Sequence, residues 1–235
     1  MEICVIHGSN RKGNTDRTIE IIKETLNAFE EIVYSDVYLH KDLPFFCNGC
    51  FLCLETGVSA GENCPHKQYT NPILEKMLRS DGIIIGSPVY ALSETAQIKT
   101  FFDHFACSYI CHRPNEEMFD KIGFVVSTAA GAGTKNVINT VSRNFLFWGI
   151  KRIIKCGINI WDNDWENIPN RRRIKFEKKL KSKAKIFYKV MKRRYKLIPN
   201  IKTIFLKNVF KKLIESYPCT NPDKIYWKLK EWIIE

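Results

Sequence analysis

Residues 2–15 read EICVIHGSNRKGNT: a short β-prone run, Glu2 to His7, then the loop Gly8-Ser9-Asn10-Arg11-Lys12-Gly13-Asn14-Thr15 entering a helical pattern with Ile19, Ile22, Leu26 and Phe29 on one face. Small and hydroxyl residues in such a loop let backbone N–H groups close around an anion. The helix N-terminus adds a favourable dipole and Arg11 adds full charge. The loop therefore reads as a phosphate cradle. It matches a P-loop at Gly8 and Gly13, but Asn14 stands where that motif needs a Lys to reach the β- and γ-phosphates, which argues against nucleoside triphosphate hydrolysis. A dinucleotide fingerprint fails as well, because the Gly-x-Gly at Gly131 and Gly133 is followed by Asn136 instead of the last glycine. A terminal monophosphate suits the loop. An ordinary βα turn is the competing reading, and the coincidence of Ser, Arg, Asn and Thr favours the cradle.

Working outward, strand-like and helix-like stretches alternate over the first 160 residues. Glu31 to Leu39 reads as a second strand, followed by a long cysteine-bearing loop and a short helix around Asn71 to Arg79. The apolar run Gly82 to Ile85 is a third strand, Lys121 to Ser127 a fourth, and Ile153 to Ile160 a fifth. Helices from about Glu94 to Phe105 and Lys135 to Phe147 lie between them. This alternation predicts an α/β fold with a five-stranded parallel sheet covered on both faces. After Trp165 the pattern is helical, with a break at Pro199, a second helix to about Tyr217 and a terminal segment bearing Tyr226, Trp227 and Trp232. We expect a sheet domain over 1–164 and a basic helical extension over 165–235 packed on it.

The chain has 235 residues and a net charge of +12. From Arg171 to Glu215 there are 18 Lys and Arg against Glu177 and Glu215, a net +16, which leaves −4 for the rest. Leu180, Ala184, Phe187 and Met191 repeat at helical spacing, so the bland reading is an amphipathic helix with a solvated basic face. The sharp reading is a module whose basic helices bind nucleic acid or an anionic membrane surface; basic runs alone are weak evidence for it, and nucleic acid is not the expected partner. No apolar run approaches the length of a membrane-spanning helix, and no signal-like leader precedes Glu2, so a cytoplasmic protein with reduced thiols is expected.

In a doubly wound sheet ligands bind beyond the carboxyl ends of the strands. The loop after the third strand is Gly86-Ser87-Pro88-Val89-Tyr90, stiffened by Pro88 and offering the Tyr90 ring; the loop after the fourth is Thr128-Ala129-Ala130-Gly131-Ala132-Gly133, which lets main chain approach a flat ring. Together with the cradle they suggest a planar heterocycle bearing one phosphate.

GSNRKGNT, the stretch SDGIIIGSPVYALSETAQIKTFFDH at 80–104 and the cysteine loop between them resemble the flavodoxin-like NAD(P)H-dependent FMN reductases, in particular the iron-sulfur flavoprotein branch. The resemblance covers roughly residues 1–135 and recurs at Pro222-Asp223 and Tyr226-Trp227. It implies a flavodoxin-like doubly wound sheet of five strands and an FMN cofactor. Ser9, Arg11, Gly13, Asn14 and Thr15 would hold the phosphate; Ser87, Pro88, Val89 and Tyr90 would line the isoalloxazine; Thr128, Gly131 and Gly133 would border its far edge. It also implies a homodimer or homotetramer and a donor that is NAD(P)H or a ferredoxin-like protein.

Cys47, Cys50 and Cys53 form a C-x2-C-x2-C run, and Cys64-Pro65 follows after ten residues. Three thiolates at this spacing can wrap three corners of a [4Fe-4S] cluster with Cys64 as the fourth ligand. Zinc on these residues, or free thiols, are the alternatives. Cys4, Cys107, Cys111, Cys156 and Cys219 read as small buried residues. No triad or carboxylate pair stands out, and His66, His104 and His112 receive no catalytic role, because a flavin would carry the chemistry itself.

Overall fold

Ile3, Cys4, Val5 and Ile6, and Ile83, Ile84 and Ile85, are all fully buried, as strands covered on both faces require. In the computed structural model, which describes residues 1–234, they belong to one parallel sheet of five strands: β1 (Glu2–His7), β2 (Val33–Tyr38), β3 (Gly82–Pro88), β4 (Ile122–Ala129) and β5 (Arg152–Asn159). The order β2-β1-β3-β4-β5 is the flavodoxin-like arrangement. Nine α-helices accompany it among the described residues: α1 (Asn14–Asn27), α2 (Leu39–Asp42), α3 (Leu52–Glu55), α4 (Lys67–Arg79), α5 (Ala96–His104), α6 (Thr134–Phe147), α7 (Asn170–Lys192), α8 (Ile201–Glu215) and α9 (Pro222–Leu229).

The pleat divides the core. Ile3, Val5, Ile84, Phe124 and Val126 meet α1 and α7, whereas Cys4, Ile6, Ile83, Ile85 and Val125 meet α4, α5 and α6. The basic helix α7 is thus a core layer: Leu180, Ala184, Phe187 and Met191 are fully buried, and each large one contributes roughly 1.5–3 kcal/mol of transfer free energy. Its approach to β3 requires a residue without a side chain, since a Cβ on Gly82 would lie 2.6 Å from Met191 Sδ and 2.8 Å from Phe187 Cζ. Beyond α7, helices α8 and α9 share a smaller cluster of Ile214, Tyr226, Trp227 and Ile233.

Three details differ from expectation. Helix α4 begins at Lys67, not Asn71, and carries Pro72 inside it. Phe29 lies past the end of α1, 43% exposed, and stacks on Tyr188 of α7. Among the isolated cysteines, Cys4, Cys107 and Cys156 are buried, but Cys111 is only partly so and Cys219 is exposed, in the turn before α9. No described helix is long and apolar enough to cross a membrane.

Candidate functional site

β1 and β3 are neighbours, yet β1 is followed in the sheet by β2 on one side and β3 by β4 on the other, so the loops leaving their carboxyl ends diverge and open a crevice. The first loop is pinned at its start: Gly8 N–H donates to Gly86 O at 2.8 Å and Thr95 Oγ1 donates to Gly8 O at 2.7 Å. Ser9 Oγ donates to Arg11 O at 2.8 Å and closes the turn. Asp16 completes the helix start by accepting Gly13 N–H at 3.2 Å. Arg11 is left exposed at the mouth.

A cleft of about 210 Å³ lies over this loop. Ser9, Arg11, Gly13, Asn14 and Thr15 form one wall, and Pro88, Val89 and Tyr90 form the second. Thr128, Ala129 and Ala130 form the third, with Thr15 and Thr128 joined hydroxyl to hydroxyl at 2.7 Å. Tyr90 is presented by a tight turn in which Tyr90 and Ser93 exchange backbone hydrogen bonds of 3.0 Å, while Ala91 and Leu92 take φ of +47° and +63°. Left-handed conformations at residues with side chains cost on the order of 1–3 kcal/mol each, a strain that surrounding contacts must hold.

Three of the residues expected at the cleft do not line it. Ser87 is buried, its hydroxyl donating to Pro88 O at 2.9 Å and accepting from Thr95 N–H at 3.3 Å, so it shapes the second loop. Gly131 is not a wall residue. Gly133, at φ +103°, underlies the second loop, where a Cβ would come within 2.7 Å of Val89 Cγ1.

The sequence reading missed the fourth wall, Asp162 and Asn163 in the loop after β5. Ile160 N–H donates to Ala129 O at 2.7 Å, and Asp162 Oδ1 accepts Asp164 N–H at 2.9 Å, an Asx turn. Asn14 Nδ2 donates to Asp162 O at 3.1 Å, which leaves Asn14 Oδ1 buried without a partner among the described residues. That free atom is an acceptor.

A second omission is His7, at the carboxyl end of β1. Its Nδ1 lies 3.0 Å from Asp16 Oδ1 and its Nε2 2.7 Å from Asp36 Oδ1, and the ring stacks on Tyr38 at 4.3 Å. Two carboxylates can be served only if both ring nitrogens carry protons. Burial opposes the charge, but the bonds to Asp16 and Asp36 outweigh it and raise the His7 pKa. Lys23 also binds both Asp36 oxygens, at 2.7 and 2.8 Å.

The four cysteines of the loop come together. Cys47, Cys50, Cys53 and Cys64 line one hollow of about 20 Å³ with Phe51, Pro65, His66 and His104. Burial, then the nearby Cys53, Cys47 and Cys50, push the Cys64 thiol up, against a backbone hydrogen bond that favours the thiolate. The Cys53 thiol is pulled down by a hydrogen bond from Cys107, opposed by burial and helped by the Arg113 charge. As placed, no three ligand-type side chains among the described residues converge on a metal position. Four thiols round one hollow suit a cluster in kind, although they are not closed into a coordination shell.

The sheet order and the crevice at its switch point define a flavodoxin-like α/β protein. The profile of the NADPH-dependent FMN reductase family matches residues 1–158, and the chain belongs to that family. An iron-sulfur flavoprotein of Archaeoglobus fulgidus is 27% identical over 99% of this chain and all of its own length. Another, of Methanocaldococcus jannaschii, is 32% identical over 70% of this chain and 78% of its own. Among solved structures, an FMN-dependent NADH-azoreductase of Bacillus anthracis in complex with FMN superposes with a TM-score of 0.58 at 12% identity, covering 80% of this chain and all of the other. That likeness supports the fold.

Proposed function

We propose that this member of the FMN reductase family binds FMN in the four-walled cleft and passes electrons from NAD(P)H or a ferredoxin-like donor to a second acceptor. A [4Fe-4S] cluster on Cys47, Cys50, Cys53 and Cys64 would accompany the flavin. The observation that carries the flavin reading is the meeting of the Arg11 loop, the Tyr90 loop and the Thr128 loop on one cleft at the switch point. The chemistry of its walls suits FMN: a cation and a helix N-terminus, together with a phenol ring and small residues. When bound, FMN supplies two-electron acceptance and one- or two-electron release.

The chain's residues have separable tasks. Arg11, with the N–H groups of the first turn of α1, would neutralise the phosphate. Asn14 Oδ1 lacks a donor and so fits a ribityl hydroxyl, since its amide is already committed to Asp162. Tyr90, Val89 and Pro88 would cover the ring, and Ala129 and Ala130 would let its edge approach the main chain. A protonated His7 would neutralise Asp16, and the carboxylate that caps α1 would then not repel a phosphate at the same helix end. The relatives' name, iron-sulfur flavoprotein, supports the cluster, as does the gathering of the four thiols round one hollow.

Anaerobic purification, a visible spectrum, and iron and sulfide analysis test both parts. Flavin absorbance bleached by NADPH, NADH or reduced ferredoxin, with about four irons per chain, is expected. A colourless protein that takes up no FMN removes the flavin reading, and a flavin spectrum without iron removes the cluster.

A further inference from the structure

Arg113 is fully buried although it carries a charge. Its Nη1 donates to Gly57 O at 2.8 Å, Thr56 O at 3.1 Å and Ser59 O at 3.4 Å, and its Nη2 donates to Cys53 O. One guanidinium thus gathers the carbonyls of the turn that leaves Cys53 towards Cys64. Its charge is balanced from the far end of the chain. Arg113 Nε and Asp223 Oδ1, in the first turn of α9, are 3.1 Å apart, an ion pair whose angle does not suit a hydrogen bond. Asp223 Oδ2 takes His112 Nδ1 at 2.8 Å.

Helix α9 is itself seated on the same segment. Trp227, fully buried, donates its indole N–H to His112 O at 2.7 Å, and Tyr226 donates to Pro114 O at 2.5 Å. Asn221 caps the helix by accepting the N–H groups of Asp223 and Lys224 at 2.9 and 3.1 Å. A buried ion pair adds little net stability over apolar packing, but removing one partner leaves a desolvated charge, so such a pair selects one arrangement against others.

We infer that α9 is a latch that positions the cysteine loop: Asp223 holds the Arg113 guanidinium, and Arg113 fixes the Cys53–Ser59 turn in the shape that brings Cys53 and Cys64 to one hollow. Asp223 and Arg113 are positioning residues and touch no thiol in this role. The link from loop shape to metal retention rests on the cluster proposed above; the link from α9 to the loop does not.

Two variants of the full chain test it, Asp223→Asn, which keeps the shape and removes the charge, and Arg113→Lys, which keeps the charge and removes the fork. Deuterium exchange over residues 47–64 is expected to quicken roughly tenfold in both, while β1, β3 and β4 stay protected and, in Arg113→Lys, α9 does too. Iron per chain after anaerobic purification should fall in both relative to the wild type, with FMN uptake retained. Unchanged exchange over 47–64 in either variant overturns the latch, as does a rise shared equally with the strands. If the wild type holds no iron, the cluster reading falls and loop exchange still decides the latch.

Discussion

Thr15 Oγ1 and Thr128 Oγ1 lie 2.7 Å apart although 113 residues separate them in sequence. The contact ties the start of α1 to the end of β4 on the floor of the cleft, and both residues are buried. Thr15→Val keeps the shape and strands the Thr128 hydroxyl, so it should cost about 1–3 kcal/mol of stability and weaken FMN uptake. Urea unfolding and a flavin titration on the same preparation measure the two effects.

Gly133 supports the Tyr90 loop from beneath at φ +103°. Gly133→Val adds left-handed strain of roughly 1–2 kcal/mol and a collision with Val89 Cγ1, which a Cβ would meet at 2.7 Å. We expect a lower urea midpoint and weaker FMN binding, with helix content by circular dichroism unchanged.

Helix α7 closes one side of the sheet despite its charge. Phe187→Ala should destabilise the protein by about 3–5 kcal/mol, and a chain ending at residue 164 should not fold, because Ile3, Val5, Phe124 and Val126 would lose their cover. Urea unfolding of the first and the solubility of the second are the checks.

His112 carries a pH dependence. Burial lowers its pKa, but Asp223 and Cys111 raise it further, to about 9. A folded pKa above the unfolded value gives stability that is fully present below about pH 6.5 and is lost as pH rises through about 9. The wild type should therefore lose on the order of 2 kcal/mol between those limits, and His112→Gln should flatten that slope. Thermal melts across the range read the difference.

The parts of the site that were legible in the sequence are those whose signals are local. The Gly8–Thr15 loop carries its character in eight consecutive residues, and the strands around it are short apolar runs, so the sheet and the position of this loop at its edge could both be read. The Asp162 wall could not, since Asn14 reaches it across 148 residues and an acidic loop alone does not point to a partner. His7 looked like the last residue of a strand; the carboxylates that charge it lie 9 and 29 residues away. Ser87 and Gly133 were expected among the residues around the ring and do not line the cleft; a loop sequence does not tell which residues line a cleft and which hold its turns. The +16 of residues 171–215 suggested a surface, and the stripe beneath it proved to be core.

On the proposed function, the cleft over the Arg11 loop holds FMN. Titrating free FMN with the wild type and with Arg11→Ala, and following the loss of flavin fluorescence, tests it most directly. Saturable binding at about micromolar or below, weakened roughly tenfold or more in Arg11→Ala by loss of a charge-assisted contact, is the expected result. No saturable binding, or equal binding by both proteins, would contradict it.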